Sequence, residues 1–164
     1  MSEPWRPALD FLAAHHTVSL GLVHDGAPHA CNLLYAHHGF TLMWVSDPRS
    51  RHSQAIDRDA GAGTPAAATI APDYADFRLI RGLQMHGRAQ RIEGLGDLAR
   101  TMMLLKHRYD FLANFLAGPA ALAAAMAKAR LYRFVPEAVT FVDNTAGFGH
   151  KTVLTPADLA AAEA

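Results

Sequence analysis

Cysteine is almost missing from this chain. Cys31 is the only one in 164 residues, which excludes an intrachain disulfide framework and any zinc site built from repeated Cys-x-x-Cys pairs. Charge of one sign is missing as well, since fifteen Lys and Arg balance fifteen Asp and Glu. A neutral chain has no overall field to draw DNA, RNA or an anionic membrane, so any anion must be held locally. Long apolar runs are also lacking. The most apolar stretch, AALAAAMAKA at 120–129, falls short of the roughly 20 residues that span a bilayer. The opening MSEPWRPALDF carries an acid and two prolines where a signal peptide has basic and then apolar residues. These absences together predict a soluble cytoplasmic protein with neither a nucleic-acid nor a membrane partner, folded as a single domain over 1–164.

What is present reads mostly as strand. After a short helix from Pro4 to Ala14, the runs TVSLGLVH (17–24), PHACNLLYA (28–36) and FTLMWVS (40–46) are separated by Asp25-Gly26 and His37-His38-Gly39, the turn chemistry of a β-meander. In the third run Phe40, Leu42 and Trp44 share one face while Met43 and Val45 share the other, so both faces are apolar. That pattern predicts a strand with a core on one side and a second subunit on the other, hence a homodimer. A helix to about Arg58, a loop DAGAGTP and a strand AAATIA (66–71) follow. The long strand 77–92 is interrupted by Gly82 and Gly87, which suit a bulge or sharp bend. Residues 97–128 read as helix broken at Gly118-Pro119, then LYRFVP and AVTFVDN as two strands, and Thr155-Pro156 opens a last helical turn. The fold class is mainly β within α+β: a six- to seven-stranded antiparallel split β-barrel with flanking helices.

Two segments carry chemistry. In VSDPRSRHSQAI (45–56) the free N–H groups of a helix start, with Arg49, Arg51 and His52 beside them, can hold a phosphate. Spacing alone fits a solvated helix start equally well. Asp47 as the cap would repel an anion, which favours Ser50 as the capping or ligating hydroxyl. In VTFVDNTAGFGHK (139–151) a glycine-rich loop presents Phe148, His150 and Lys151, although a plain chain reversal explains the glycines too. The ten histidines form no spacing with ligand meaning, so no metal site is expected, and a single axial histidine for haem would leave no pattern. Cys31 lies in an apolar run and reads as a buried structural thiol. There is no GxSxG, Walker loop or GxGxxG.

The order of meander, WVSDPRSRHSQAI, glycine-broken strand and LYRFVPEAVTFVDN resembles the FMN-binding split-barrel superfamily of pyridoxamine 5'-phosphate oxidase over about Thr17 to Leu154. RGLQMHGRAQRI and DNTAGFGHK look more like a small uncharacterised bacterial branch of it. The resemblance implies a flavin-dependent oxidoreductase acting on a small molecule, or a non-catalytic flavin- or haem-binding module. It places Trp44, Val45 and Ser46 on the cofactor-binding strand that leads into the phosphate site and Ser50, Arg51 and His52 at the helix start that binds the FMN phosphate, with Arg49 a further cofactor-binding candidate. The flavin ring would lie beside Ala30 to Leu34, with Asn32 as a polar contact, at the dimer interface. Phe148, His150 and Lys151 would close over it. The oxidase usually has lysine where His52 stands, which implies weaker or pH-sensitive phosphate binding. Its Arg-Leu-His-Asp-Arg signature has no counterpart here, which argues against pyridoxamine 5'-phosphate as substrate.

Overall fold

The structure, a computed structural model, describes residues 3–59 and 61–164, with no side chain described at 115–117, 121–123 or 125. Met1 and Ser2 of the opening segment and residue 60 of the DAGAGTP loop lie outside the described residues. Eight strands are present among the described residues: β1 (Thr17–His24), β2 (Ala27–Leu34), β3 (Ala36–His38), β4 (Thr41–Ser46), β5 (Thr64–Ile70), β6 (Arg81–Arg91), β7 (Arg130–Asp143) and β8 (Lys151–Leu154). They make one antiparallel sheet in the order β2-β1-β5-β6-β7-β4-β3, with β8 also paired to β7. This is the split barrel expected from the sequence, with two more short strands on the same plan. Flanking it are α1 (Arg6–Ala14), α2 (Arg51–Arg58), α3 (Leu95–Arg108), α4 (Phe111–Ala117), α5 (Ala120–Lys128) and α6 (Pro156–Ala162).

Alternation explains the core. Val18, Leu20 and Leu22 of β1, Leu42 and Trp44 of β4, and Leu83, Met85 and Ala89 of β6 are buried in one cluster, sealed by Phe11 and Leu12 of α1 and by Ala55 and Ile56 of α2. The opposite face of β4 joins a second cluster, in which Met43 packs with Leu105, Tyr109 and Leu112 and Val45 lies alongside. Both faces of β4 are therefore apolar, as the sequence predicts, but the second is covered by α3 and α4 of the same chain. That strand by itself does not require a second subunit.

Three expectations are corrected by local geometry. Residues 77–79 form a 3₁₀ turn rather than the start of the long strand, because Asp76 caps it by accepting a hydrogen bond from Arg78 N. The helical interval breaks once more than expected, at Tyr109, which leaves the helical region (φ −132°, ψ 97°). Its hydroxyl donates to the Tyr35 carbonyl at 2.6 Å, a tie to the sheet that a continuing helix could not make. LYRFVP and AVTFVDN are one strand, β7, despite Pro136. The pairing shifts from His86↔Ala138 to Gly87↔Pro136, so Glu137 is the extra residue of a bulge, where a proline without an N–H is tolerated. The bulge expected near Gly82 or Gly87 is thus at Gly87.

A Cβ at Gly87 would lie 2.1 Å from the Val135 carbonyl oxygen, whereas one at Gly96, in the first turn of α3, would meet nothing within 4 Å. Gly87→Ala should therefore lower stability by about 2 kcal/mol or more through backbone displacement. Gly96→Ala should raise it by up to about 1 kcal/mol through helix propensity alone. Urea unfolding of the two variants beside the parent protein measures both, and opposite signs are expected.

Candidate functional site

Strand β4 delivers its last residues to the start of α2, and alternation sends them different ways. Trp44 turns into the core, 1% exposed, with its ring stacked on Tyr132 at 6.0 Å, so it reaches no outer surface. Val45 faces outward and, with Asn32, Leu34, Tyr109, Phe111 and Met126, lines an apolar pocket of about 260 Å³. Ser46 turns toward α2, where its Oγ is 2.7 Å from His52 Nε2. Next along the chain, Asp47, Pro48 and Arg49 line a cleft of about 410 Å³ together with Lys128 and Arg130. Val45 and Met126 line the pocket while Asp47 and Lys128, two residues further on in each segment, line the cleft.

Ser50 is the N-cap of α2, with an extended backbone (φ −66°, ψ 150°) and a side chain that accepts from Ser53 N. Its Oγ lies 2.8 Å from the Asp47 carbonyl. Asp47 is not the cap. Its carboxylate instead accepts from Arg49 N at 2.8 Å and from the Arg49 guanidinium at 2.8 Å. These hydrogen bonds hold the Asp47 carboxyl down at about 2. Arg49, expected as a free anion ligand, is thereby neutralised by its neighbour.

His52 is buried rather than displayed, with Nε2 also 3.1 Å from Ser50 Oγ. Burial, and then the His29 ring next to it, lower its pKa, so it is neutral at pH 7. Any titration of His52 is thereby moved below the ordinary histidine value. Arg51, by contrast, is exposed in the first turn, and its side chain makes no hydrogen bond or ion pair with any described residue. Arg51 and Ser50 are what remain of the anion socket, along with the free N–H groups of the helix start.

The C-terminal segment is ordered by its own hydrogen bonds. Asn144 donates through Nδ2 to the Phe77 carbonyl at 2.7 Å and accepts through Oδ1 from Gly149 N at 3.1 Å. Sequence reasoning misses this organising residue, whose only signal is an Asn ahead of a Gly-x-Gly. Phe148 is 85% exposed and meets Phe77 edge-on at 5.8 Å. His150 and Lys151 are exposed at the start of β8. No hydrogen bond, ion pair or ring contact among the described residues links these three to Ser46, Ser50, Arg51 or His52. The reason lies in β7: Val45 pairs with Leu131, but Lys151 pairs with Val142, eleven positions along one strand, on the order of 30 Å.

The geometry also brings together residues that spacing keeps apart. His29 and Cys31 of β2 and His52 of α2 place their ligand-type atoms within 4.8 Å of one another, and the two imidazoles stack at 4° with centroids 6.5 Å apart. Burial raises the Cys31 pKa. The only sequence signal is the His29-x-Cys31 alternation, which a strand turns to one face.

Comparison with known proteins agrees with this architecture. The UPF0306 protein YhbP of Salmonella arizonae is 30% identical over 146 residues, covering 86% of this chain and 86% of the relative. The chain belongs to the UPF0306 family. No protein-family model matches it. Among solved structures, a haem-binding protein from Mycobacterium smegmatis superposes with a TM-score of 0.69 at 18% identity, covering 98% of this chain and 61% of that one. An FAD-binding protein from Mycobacterium smegmatis superposes with a TM-score of 0.61 at 12% identity, over 92% and 96%. This UPF0306 chain thus has the split-barrel fold shared by flavin- and haem-binding proteins, and its named relatives fit the small bacterial branch that the sequence resembles. No helix among the described residues is long and apolar enough to cross a membrane.

The pKa of His52 sets a sign for stability against pH. The unfolded chain protonates its histidines near 6.5, whereas folded His52, facing His29 and Cys31, takes up a proton only at lower pH. Below about 6.5 the unfolded state binds more protons, so stability falls as pH falls. His37 is shifted the same way by burial. Urea unfolding at about pH 7 and about pH 5 should show a loss of stability at the lower value, and a smaller loss for His52→Asn.

Proposed function

We propose that this protein binds FMN, with the phosphate at Ser50, Arg51 and the first N–H groups of α2, and acts as a flavin-dependent oxidoreductase on a small molecule. The observation that carries the reading is the unpaired Arg51 guanidinium in the first turn of a serine-capped helix. That helix follows the strand whose Val45 lines an apolar pocket. A free guanidinium and helix N–H groups match a phosphate dianion. An apolar pocket with one amide side chain, Asn32, matches a flavin ring better than a charged substrate. Asn32 Oδ1 already accepts from Ser19 Oγ at 2.7 Å, which fixes the amide for a ring contact. Bound FMN would supply the hydride and electron chemistry. The chain would supply the phosphate anchor, the orientation set by Val45 and Asn32, positive charge from Lys151 and a polar contact from His150.

We further propose that the working unit is a homodimer whose partner brings Phe148, His150 and Lys151 to the flavin. Within one subunit the span of β7 keeps that loop from the socket. The outer face of β2, β1 and β5 also offers a small-residue surface, with Ala30, Gly21 and Ala67 in register. Val23 beside it is 59% exposed. Sedimentation of the parent protein should give a dimer. Ala67→Arg should give a monomer with weakened FMN binding, and a monomer that binds FMN as tightly as the parent would remove the flavin from the interface.

The absorption spectrum of the protein as purified tests the cofactor: flavin bands support the reading, and a haem band assigns the pocket to haem. Arg51→Ala should weaken FMN binding by about 2 kcal/mol, roughly thirtyfold, in a flavin fluorescence titration. Unchanged affinity would return Arg51 to the solvated surface. FMN-loaded protein that NADH and NADPH never reduce, alone or through a reductase, would leave a flavin carrier and not an oxidoreductase.

A further inference from the structure

We propose that His29, Cys31 and His52 form a binding site for a divalent d-block cation, with zinc the best chemical match. The site does not depend on the flavin reading. These three are the only group of histidine, cysteine or acidic side chains among the described residues whose ligand atoms converge in this way, all within 4.8 Å. They arrive from two elements, an edge strand and a helix, that the fold packs together. Two imidazoles and one thiol form a nitrogen and sulfur donor set of intermediate softness, which suits zinc and its neighbours and disfavours magnesium and calcium.

His52 meets one requirement of a metal-bound histidine, a hydrogen-bonded ring nitrogen. Its Nε2 is 2.7 Å from Ser46 Oγ and 3.1 Å from Ser50 Oγ. With the proton on Nε2, donated to those hydroxyls, Nδ1 carries the free lone pair. A hydrogen-bonded second ring nitrogen of this kind fixes the tautomer and orientation of histidine ligands. Both imidazoles lie close and parallel, an arrangement that neutral rings tolerate and that a shared cation would stabilise. Tetrahedral bonds of about 2.0 and 2.3 Å put ligand atoms about 3.5 Å apart, so the group must close by roughly 1 Å. His29 and Cys31 are only partly buried, and β2 is an edge strand paired solely to β1, so that closure needs side-chain rotation and little else.

Binding would deprotonate Cys31 and release its thiol proton to solvent. Three protein ligands leave a fourth position for water or an added donor, the pattern of an open zinc site rather than a closed structural one.

The test is titration of chelator-treated, dialysed protein with Co²⁺ and with Zn²⁺. One equivalent of Co²⁺ should give a thiolate charge-transfer band and visible d–d bands in the difference spectrum with release of the Cys31 proton, and one equivalent of Zn²⁺ should displace the Co²⁺ and abolish those bands with no further proton release. Cys31→Ser should abolish the charge-transfer band, and His29→Ala should abolish stoichiometric binding, each with metal-free circular dichroism unchanged. Ser46→Ala, which removes the nearer of the two hydroxyl partners of His52 Nε2, should weaken Zn²⁺ binding by about tenfold. Absence of a charge-transfer band in the parent protein, or full binding by Cys31→Ser, would overturn the proposal and assign the metal to surface histidines. Should Cys31→Ser or His29→Ala misfold, protection of the parent Cys31 from thiol reagents by Zn²⁺ decides instead: no protection overturns the site.

Discussion

The sheet turns on a place where no side chain fits. Gly87 lies so close to Val135 and Pro136 of the next strand that a Cβ would overlap backbone atoms, and the bulge there lets a fourteen-residue strand bend without losing its ladder to β6. Because it bends, β7 serves two neighbours on its other side, β4 along Arg130–Phe134 and β8 along Val139–Val142. The candidate phosphate socket hangs from the first of these and the Phe148 loop from the second. One backbone contact therefore sets both where the two halves of the candidate flavin site lie and how far apart they stay within a subunit.

The socket shows how a chain of no net charge makes a local positive site. Most cations near α2 are neutralised in place. Arg49 is held by Asp47, and Arg130 donates to Asp57 at 2.6 Å, while His52 is buried and uncharged. What is left over in the first turn of α2 is Arg51 and the helix start, whose macrodipole adds a partial positive charge. A site with one free guanidinium discriminates by geometry more than by field strength, which suits a single phosphate on a small cofactor and not a polyanion.

Periodicity makes much of this fold legible in the sequence itself. The alternation in β1, β4 and β6, the turn at Asp25-Gly26 and the bulge glycine all follow from local rules. Ser50 follows as the cap from a sign argument, because an aspartate there would repel the anion. What stays hidden depends on contacts between segments. Nothing local says that Asp47 grips Arg49, or that α3 and α4 cover Met43 and Val45. Pro136 argues against an unbroken β7 unless the opposing Gly87 supplies the bulge. β8 is only four residues long and joins the sheet by pairing alone.

His52 is where the sequence resemblance and the fold diverge most usefully. The oxidase family that the sequence resembles usually has lysine at this position, and an ammonium cannot be buried unpaired without a large desolvation cost. Histidine has a neutral form, and that form can turn inward, donate one ring proton to Ser46 or Ser50 and keep the other nitrogen as a lone pair. At a helix start that could carry a charge, His52 thus brings none, and it lies beside His29 and Cys31 instead.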